Sequence, residues 1–137
     1  MTGIVLLSHG PLAKGMYETT KWFMGEDIPQ YEYLCLEAGE SPEDYDARIE
    51  EAVRKVDSGD GVILICDLLG GTPCNRAIIA VTKGNAELLA GMNLSMVLQL
   101  LGNRLSDNYD MKELEGVSKD GVVWVNALLH GADDEDE

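Results

Sequence analysis

The chain has 137 residues, 45% of them hydrophobic and 26% charged, and a formal net charge of −15. That length suits one domain with a real core and excludes two ordinary domains, and no apolar run reaches the roughly 20 residues of a membrane-spanning helix. The acidity excludes nucleic acid and anionic membranes as partners and favours a partner that presents a basic face.

In chain order, strand patterns over 3–8, 31–36, 61–66, 86–90 and 122–127 alternate with helical patterns over 11–24, 42–57, 73–83 and 94–106. Alternation of this kind builds βαβ units around a mostly parallel sheet. Right-handed crossovers then place helices on both faces, so the expected fold is α/β, a three-layer α/β/α sandwich.

The second helix carries the clearest signals. Ser41 is the expected N-cap and Pro42 the first helical residue, and Tyr45, Ile49, Ala52, Val53 and Val56 form one apolar stripe. On its outer face Asp44/Arg48, Glu50/Arg54 and Glu51/Lys55 stand at i,i+4, the spacing of helix ion pairs. The fourth helix is expected to start after Asn93 and to bury Leu94, Val97, Leu98, Leu101 and Leu105. A short helix around Met111 to Glu115 precedes Val122-Val123-Trp124-Val125, read as a last strand.

The N-terminus Met1-Thr2-Gly3-Ile4 lacks the basic stretch of a secretion signal, so a cytoplasmic location is expected. Cys35, Cys66 and Cys74 are odd in number without C-x-x-C spacing, which reads as reduced thiols; neither a metal nor a cofactor is expected. Five of the negative charges lie on Asp133, Asp134, Glu135, Asp136 and Glu137. The expected organisation is a single domain over 1–130 and a disordered acidic tail over 131–137.

Chemistry gathers where strands end. In an open parallel sheet, ligands bind outside the carboxyl ends of the strands. The first strand runs into His9-Gly10-Pro11 and the third into Asp67, followed by Gly70-Gly71-Thr72-Pro73. A carboxylate that accepts from one imidazole nitrogen fixes the tautomer and leaves the other nitrogen as a nucleophile. That pairing requires the first and third strands to be neighbours. Gly70 and Gly71 would let amides approach an anion, with Thr72 as N-cap and Pro73 at the first helical position.

Together these residues suit a phosphoryl group carried on His9, because phosphoryl transfer is mostly positioning and charge stabilisation. Nucleotide chemistry fits worse: after Gly10 and Gly15, Met16-Tyr17 replaces the Lys-Ser/Thr of a phosphate loop, and no G-x-G-x-x-G occurs. A receiver domain would need an acidic pair where Ser8-His9 stands. No G-x-S-x-G elbow marks a serine hydrolase, and His130 reads as a bystander.

The strings Ser8-His9-Gly10-Pro11-Leu12-Ala13-Lys14-Gly15, Asp67-Leu68-Leu69-Gly70-Gly71-Thr72-Pro73-Cys74-Asn75 and Gly91-Met92-Asn93-Leu94-Ser95-Met96 resemble the enzyme IIA domain of the mannose family of the bacterial sugar phosphotransferase system. The resemblance implies a phosphotransferase with a phosphohistidine intermediate. His9 would accept the phosphoryl group from the histidine-containing phosphocarrier protein and pass it to a IIB component, feeding membrane IIC and IID components. It further implies that Asp67 supports His9, that the backbone and hydroxyl of Thr72 help hold the phosphoryl group, for which the residues themselves suggest the amides around Gly70, Gly71 and Thr72, and that the sheet is four-stranded and parallel. A homodimer exchanging a C-terminal strand is implied as well, matched by Val122 to Ala127. Ser95 stands where the family often has proline, and Cys74 where an aromatic is common. The alternative is a regulatory domain in which phosphorylated His9 is a signal. A flavodoxin-like binder is a third reading, disfavoured by the missing phosphate loop.

Overall fold

Residues 1–84, 86–106 and 110–135 are described in the computed structural model, with side chains described as far as residue 131. Strands β1 (Gly3–His9), β2 (Tyr31–Leu36), β3 (Val62–Cys66) and β4 (Ala86–Ala90) pair in the order β2-β1-β3-β4, every pair parallel. The two central strands, β1 and β3, are neighbours, with Leu7 opposite Cys66. Both are covered on two faces, which is why each reads as a nearly unbroken apolar run.

Side chains alternate across the sheet and feed two cores. Val5, Leu7, Val62, Leu64 and Cys66 pack against helices α2 (Pro42–Val56) and α3 (Thr72–Lys83) through Tyr45, Ile49, Cys74 and Ala77. Ile4, Leu6, Ile63 and Ile65 face the other way. They meet α1 (Leu12–Met24), α4 (Leu94–Asn103) and α5 (Met111–Lys119) through Ala13, Val97, Leu100, Leu101 and Leu114. The expected three-layer α/β/α sandwich and its four-stranded parallel sheet are therefore present.

Local signals fixed several element starts. Ser41 Oγ accepts from the Asp44 amide at 3.1 Å, and Asn93 Oδ1 accepts from the Met96 amide at 2.8 Å. The charges of α2 behave differently from expectation. Among the described residues the i,i+4 pairs do not form; Arg48 reaches Glu40 at 2.9 Å, Lys55 reaches Glu32 at 3.5 Å, Arg76 holds Asp46 and Lys83 holds Glu50. Neighbouring strand, loop and helix offer partners already held in place, which a flexible pair on the same helix cannot match. In α4 the α-helical turn stops at Asn103 and a 3₁₀ turn covers Arg104–Ser106. That tighter winding turns Leu105 outward to solvent, whereas the expected stripe buried it.

The strand expected over 122–127 is not formed. Val122 to Trp124 are irregular and a helix, α6, covers Val125–Glu135. A strand gains ladder hydrogen bonds only beside another strand, and none lies alongside here; a helix satisfies its own backbone. Val122, Trp124, Leu128 and Leu129 consequently stay exposed, Trp124 by 75%. Residues 131–135, expected as part of a disordered tail, continue this helix, and residues 136 and 137 lie outside the described residues. Among the described residues no helix is long and apolar enough to cross a membrane.

At the amino end of the sheet, Arg104 is 2% exposed and donates to the carbonyls of Thr2 and Gln30, both at 3.0 Å, and to that of Pro29. Gln30 Nε2 donates to the carbonyls of Met1 and Val56, both at 2.8 Å. One cation thus gathers the ends of two segments that precede β1 and β2.

Candidate functional site

His9 is the last residue of β1, and the chain turns immediately through Gly10, whose φ of +54° lies in the left-handed region that favours glycine. The Gly10 amide donates to the Leu36 carbonyl at 2.9 Å, tying this turn to the end of β2. Pro11 occupies the cap position of α1, so the helix begins at Leu12, one residue later than expected.

Asp67 follows β3 directly and extends the ladder by one bond, its amide donating to the Leu7 carbonyl at 3.1 Å. Because β1 and β3 are adjacent, this brings its carboxylate to His9. Asp67 Oδ2 accepts twice from that residue, from the His9 backbone amide and from ring Nδ1–H, each at 2.9 Å. One oxygen therefore sets both the backbone and the ring. Burial raises the Asp67 pKa, but the two bonds and the charge of His9 outweigh it and hold the carboxyl below its ordinary value. Its side chain is 11% exposed against 47% for His9, so the carboxylate is sheltered and the ring faces solvent. The other oxygen, Oδ1, is buried with no hydrogen-bond partner among the described residues.

With Nδ1 engaged, Nε2 is the free ring nitrogen. It faces Gly71: a Cβ placed there would stand 2.6 Å from His9 Cε1 and 3.2 Å from Nε2. This contact accounts for a difference from the sequence expectation. The N-cap of α3 is Gly71 and not Thr72, which becomes the first helical residue with Pro73 after it. The ring occupies the space a capping side chain would need. The Gly71 amide is also spent locally, donating to the Leu68 carbonyl at 3.2 Å. Thr72, at the first helical position, has an amide with no carbonyl a turn behind it inside the helix, so the positive end of α3 opens beside the imidazole. Gly70 sits at φ +86°, and its carbonyl accepts from Asn75 Nδ2 at 3.2 Å.

Cys74 points inward. It is buried beside Cys66, whose thiol is pushed up to about 12, chiefly by burial and then by the bond to Cys74. The Cys74 side chain therefore packs in the core. His130 lies exposed on α6. Among the described residues no three His, Cys, Asp or Glu side chains cluster to hold a metal ion.

Two hollows meet at His9. One of about 740 Å³ includes Lys14, Tyr33, Cys35, Glu37 and Arg48 in its lining; the other, of about 550 Å³, runs past Leu12, Met16, Thr19 and Leu94 and is mostly apolar. Leu68 and Leu69 stand exposed between Asp67 and Gly70, Leu69 by 78%. Sequence reasoning passed over Lys14, Tyr33 and Arg48, which come together only through the fold. Leu68-Leu69 carried a readable signal, since two large apolar residues inside a turn have no core to enter.

The model of the family described as PTS system fructose IIA component matches residues 3–115. The mannose-specific EIIAB component of Escherichia coli K12 is 30% identical over 105 residues, which is 76% of this chain and 32% of that protein. The chain thus spans about a third of the length of that relative. The fructose-specific EIIA component of Bacillus subtilis is 22% identical over 120 residues, 83% of this chain and 77% of its own. Among solved structures, the PTS IIA protein associated with the fucose utilization operon of Streptococcus pneumoniae superposes with a TM-score of 0.86 at 26% identity, covering 93% of this chain and 96% of that one. The mannose/sorbose specific IIA subunit from Enterococcus faecalis shares the fold, with a TM-score of 0.76 at 23% identity over 89% and 92% of the two chains.

Proposed function

Because the chain belongs to the mannose/fructose IIA family of the phosphotransferase system, we propose that His9 is its transient phosphoryl carrier, loaded by the histidine-containing phosphocarrier protein and unloaded to a IIB component. The observation that carries this reading is the double acceptance by Asp67 Oδ2, which holds Nδ1–H and turns Nε2 toward the open start of α3.

In the loading step the Nε2 lone pair of His9 forms the new N–P bond while the N–P bond of the donor imidazole breaks and the donor keeps that electron pair. The proton on Nδ1 stays in its bond to Asp67, whose negative charge balances the positive character the ring gains. In this reading Thr72 supplies its amide and hydroxyl to the phosphoryl oxygens beside the turn at Gly70, and Gly71, whose amide is held by Leu68, leaves the space beside the ring open. Unloading reverses the sequence with a IIB nucleophile.

The exposed apolar residues beside His9, Leu12, Leu68 and Leu69, supply a surface for each partner in turn. A net charge of −15 favours partners with a basic rim, in the cytoplasm, where such carriers act. Raising ionic strength should therefore slow loading; an unchanged rate would remove steering by charge from the account. We also propose a homodimer. The exposed run Val122 to Leu129 and the open edge of β4 are complementary in being unpaired, and two copies could cover both. Light scattering on the intact protein should return twice the chain mass.

The deciding experiment is intact-mass analysis after incubation with phosphoenolpyruvate, enzyme I and the phosphocarrier protein. Wild type should gain one acid-labile phosphoryl group and His9→Ala none. Equal gain in both would overturn the assignment of His9.

A further inference from the structure

Ser8 is completely buried at the end of β1, immediately before His9, and is an unusual residue to find in an otherwise apolar central strand. Its hydroxyl has two partners. Oγ accepts from the Ala13 amide at 2.7 Å and donates to the Gly10 carbonyl at 3.0 Å. Both partners lie beyond His9, so the hydroxyl spans the turn that carries the imidazole.

The cap position of α1 belongs to Pro11, which makes no side-chain bond to the helix. A helix start leaves its first amides unsatisfied, and Ala13 is fully buried, so its amide cannot turn to water. Ser8 supplies from within the sheet what a capping side chain normally supplies from the cap itself. Its second bond fixes the Gly10 carbonyl, whose own amide is held by Leu36 at 2.9 Å. Gly10 is thereby pinned on both sides at its left-handed φ of +54°.

We propose that Ser8 is a positioning residue for His9. Asp67 orients the ring, and Ser8 sets the backbone on which the ring is mounted. Without the hydroxyl the turn keeps Gly10 bound only to Leu36, and the His9 Cα can drift relative to Asp67 and Gly71. Displacements near 1 Å at a reacting group cost on the order of 100-fold in rate. The inference rests on the reading of His9 as the phosphoryl acceptor.

The test compares phosphoryl loading by wild type, Ser8→Ala, Ser8→Cys and Ser8→Thr, with phosphoenolpyruvate, enzyme I and the phosphocarrier protein as the source. Circular dichroism establishes which variants are folded, and the His9 Nδ1–H proton resonance reports the bond to Asp67. Ser8→Ala and Ser8→Cys should load about 10- to 100-fold more slowly with a shifted or broadened Nδ1–H resonance, and Ser8→Thr, which keeps the hydroxyl, should recover most of the rate. Ser8→Cys nearly preserves the volume at this buried position and carries the comparison if Ser8→Ala does not fold. A folded variant lacking the hydroxyl that loads at the wild-type rate with an unmoved resonance overturns the role of Ser8. Absence of loading in wild type instead overturns the role of His9.

Discussion

The two ends of the one sheet are built from similar materials and used in opposite ways. At the amino end, Arg104 is sealed from solvent and spends its guanidinium on the carbonyls of Thr2, Pro29 and Gln30. At the carboxyl end, Asp67 is nearly as sheltered, but its bonds go to a residue whose ring is half in water. Among the described residues each end leaves a buried polar atom without a hydrogen-bond partner, Arg104 Nε at one and Asp67 Oδ1 at the other. Counting unsatisfied atoms therefore does not tell the two apart. What differs is whether the charged group holds backbone alone, which only stabilises, or also holds a side chain with a free lone pair, which can react.

The largest expected effect falls on the stabilising end. Arg104→Ala would remove the guanidinium that donates to the carbonyls of Thr2, Pro29 and Gln30 and would leave a cavity, and should lower unfolding free energy by about 3–5 kcal/mol. Denaturant melts measure this, and the folded fraction should still load phosphoryl at the wild-type rate. A parallel loss of loading per folded molecule would break the separation between the ends.

Next comes Asp67→Ala, expected to slow loading by about 100-fold, equivalent to roughly 2.7 kcal/mol of barrier. Its melt should shift by less than about 1 kcal/mol, because water can reach the exposed ring that loses its partner. Rapid-quench loading kinetics beside a urea melt would show both numbers. A collapse of stability with intact loading would invert the comparison.

Gly71→Ala should be smaller, about 10-fold in loading, since the added methyl pushes the ring off its bond to Asp67 while the backbone at this position accepts any residue. The Nδ1–H resonance of His9 should move in this variant, and an unmoved resonance would mean that the ring has room the geometry denies it.

The smallest effect is on pH. The folded pKa of Asp67 lies below its unfolded value, so its contribution to stability is complete above the ordinary carboxylate range and is lost as pH falls through the folded pKa. Melts recorded from neutral to strongly acidic pH should therefore lose less stability in Asp67→Asn than in wild type. Identical slopes in the two proteins would remove Asp67 from the acid limb.

Much of the architecture could be read from the residues alone because β1 and β3 are nearly unbroken apolar runs and the helix caps Ser41 and Asn93 act within three residues. The site was legible in its parts. His9, Asp67 and Gly71 stand at strand and helix ends that the pattern locates, but their meeting depends on β1 and β3 being neighbours, which no local signal encodes. The same limit explains the errors. Thr72 has the better capping propensity, yet the ring of a residue far away in sequence demanded glycine at the cap. Arg48 has acidic neighbours on its own helix and chose Glu40 instead. Val122 to Val125 have the composition of a strand, and composition cannot supply the neighbour that a strand requires.

The placement of the three thiols has a practical consequence. Cys66 and Cys74 are sealed in the core, whereas Cys35 is half-buried in the lining of the hollow that His9 shares with Lys14 and Arg48. The wild-type chain therefore carries a single addressable handle for a thiol-reactive fluorophore, already mounted beside His9, where the proposed partners would dock. Emission from that one label would time each arrival and departure on an unmutated protein, turning a packing asymmetry among cysteines into a built-in stopwatch.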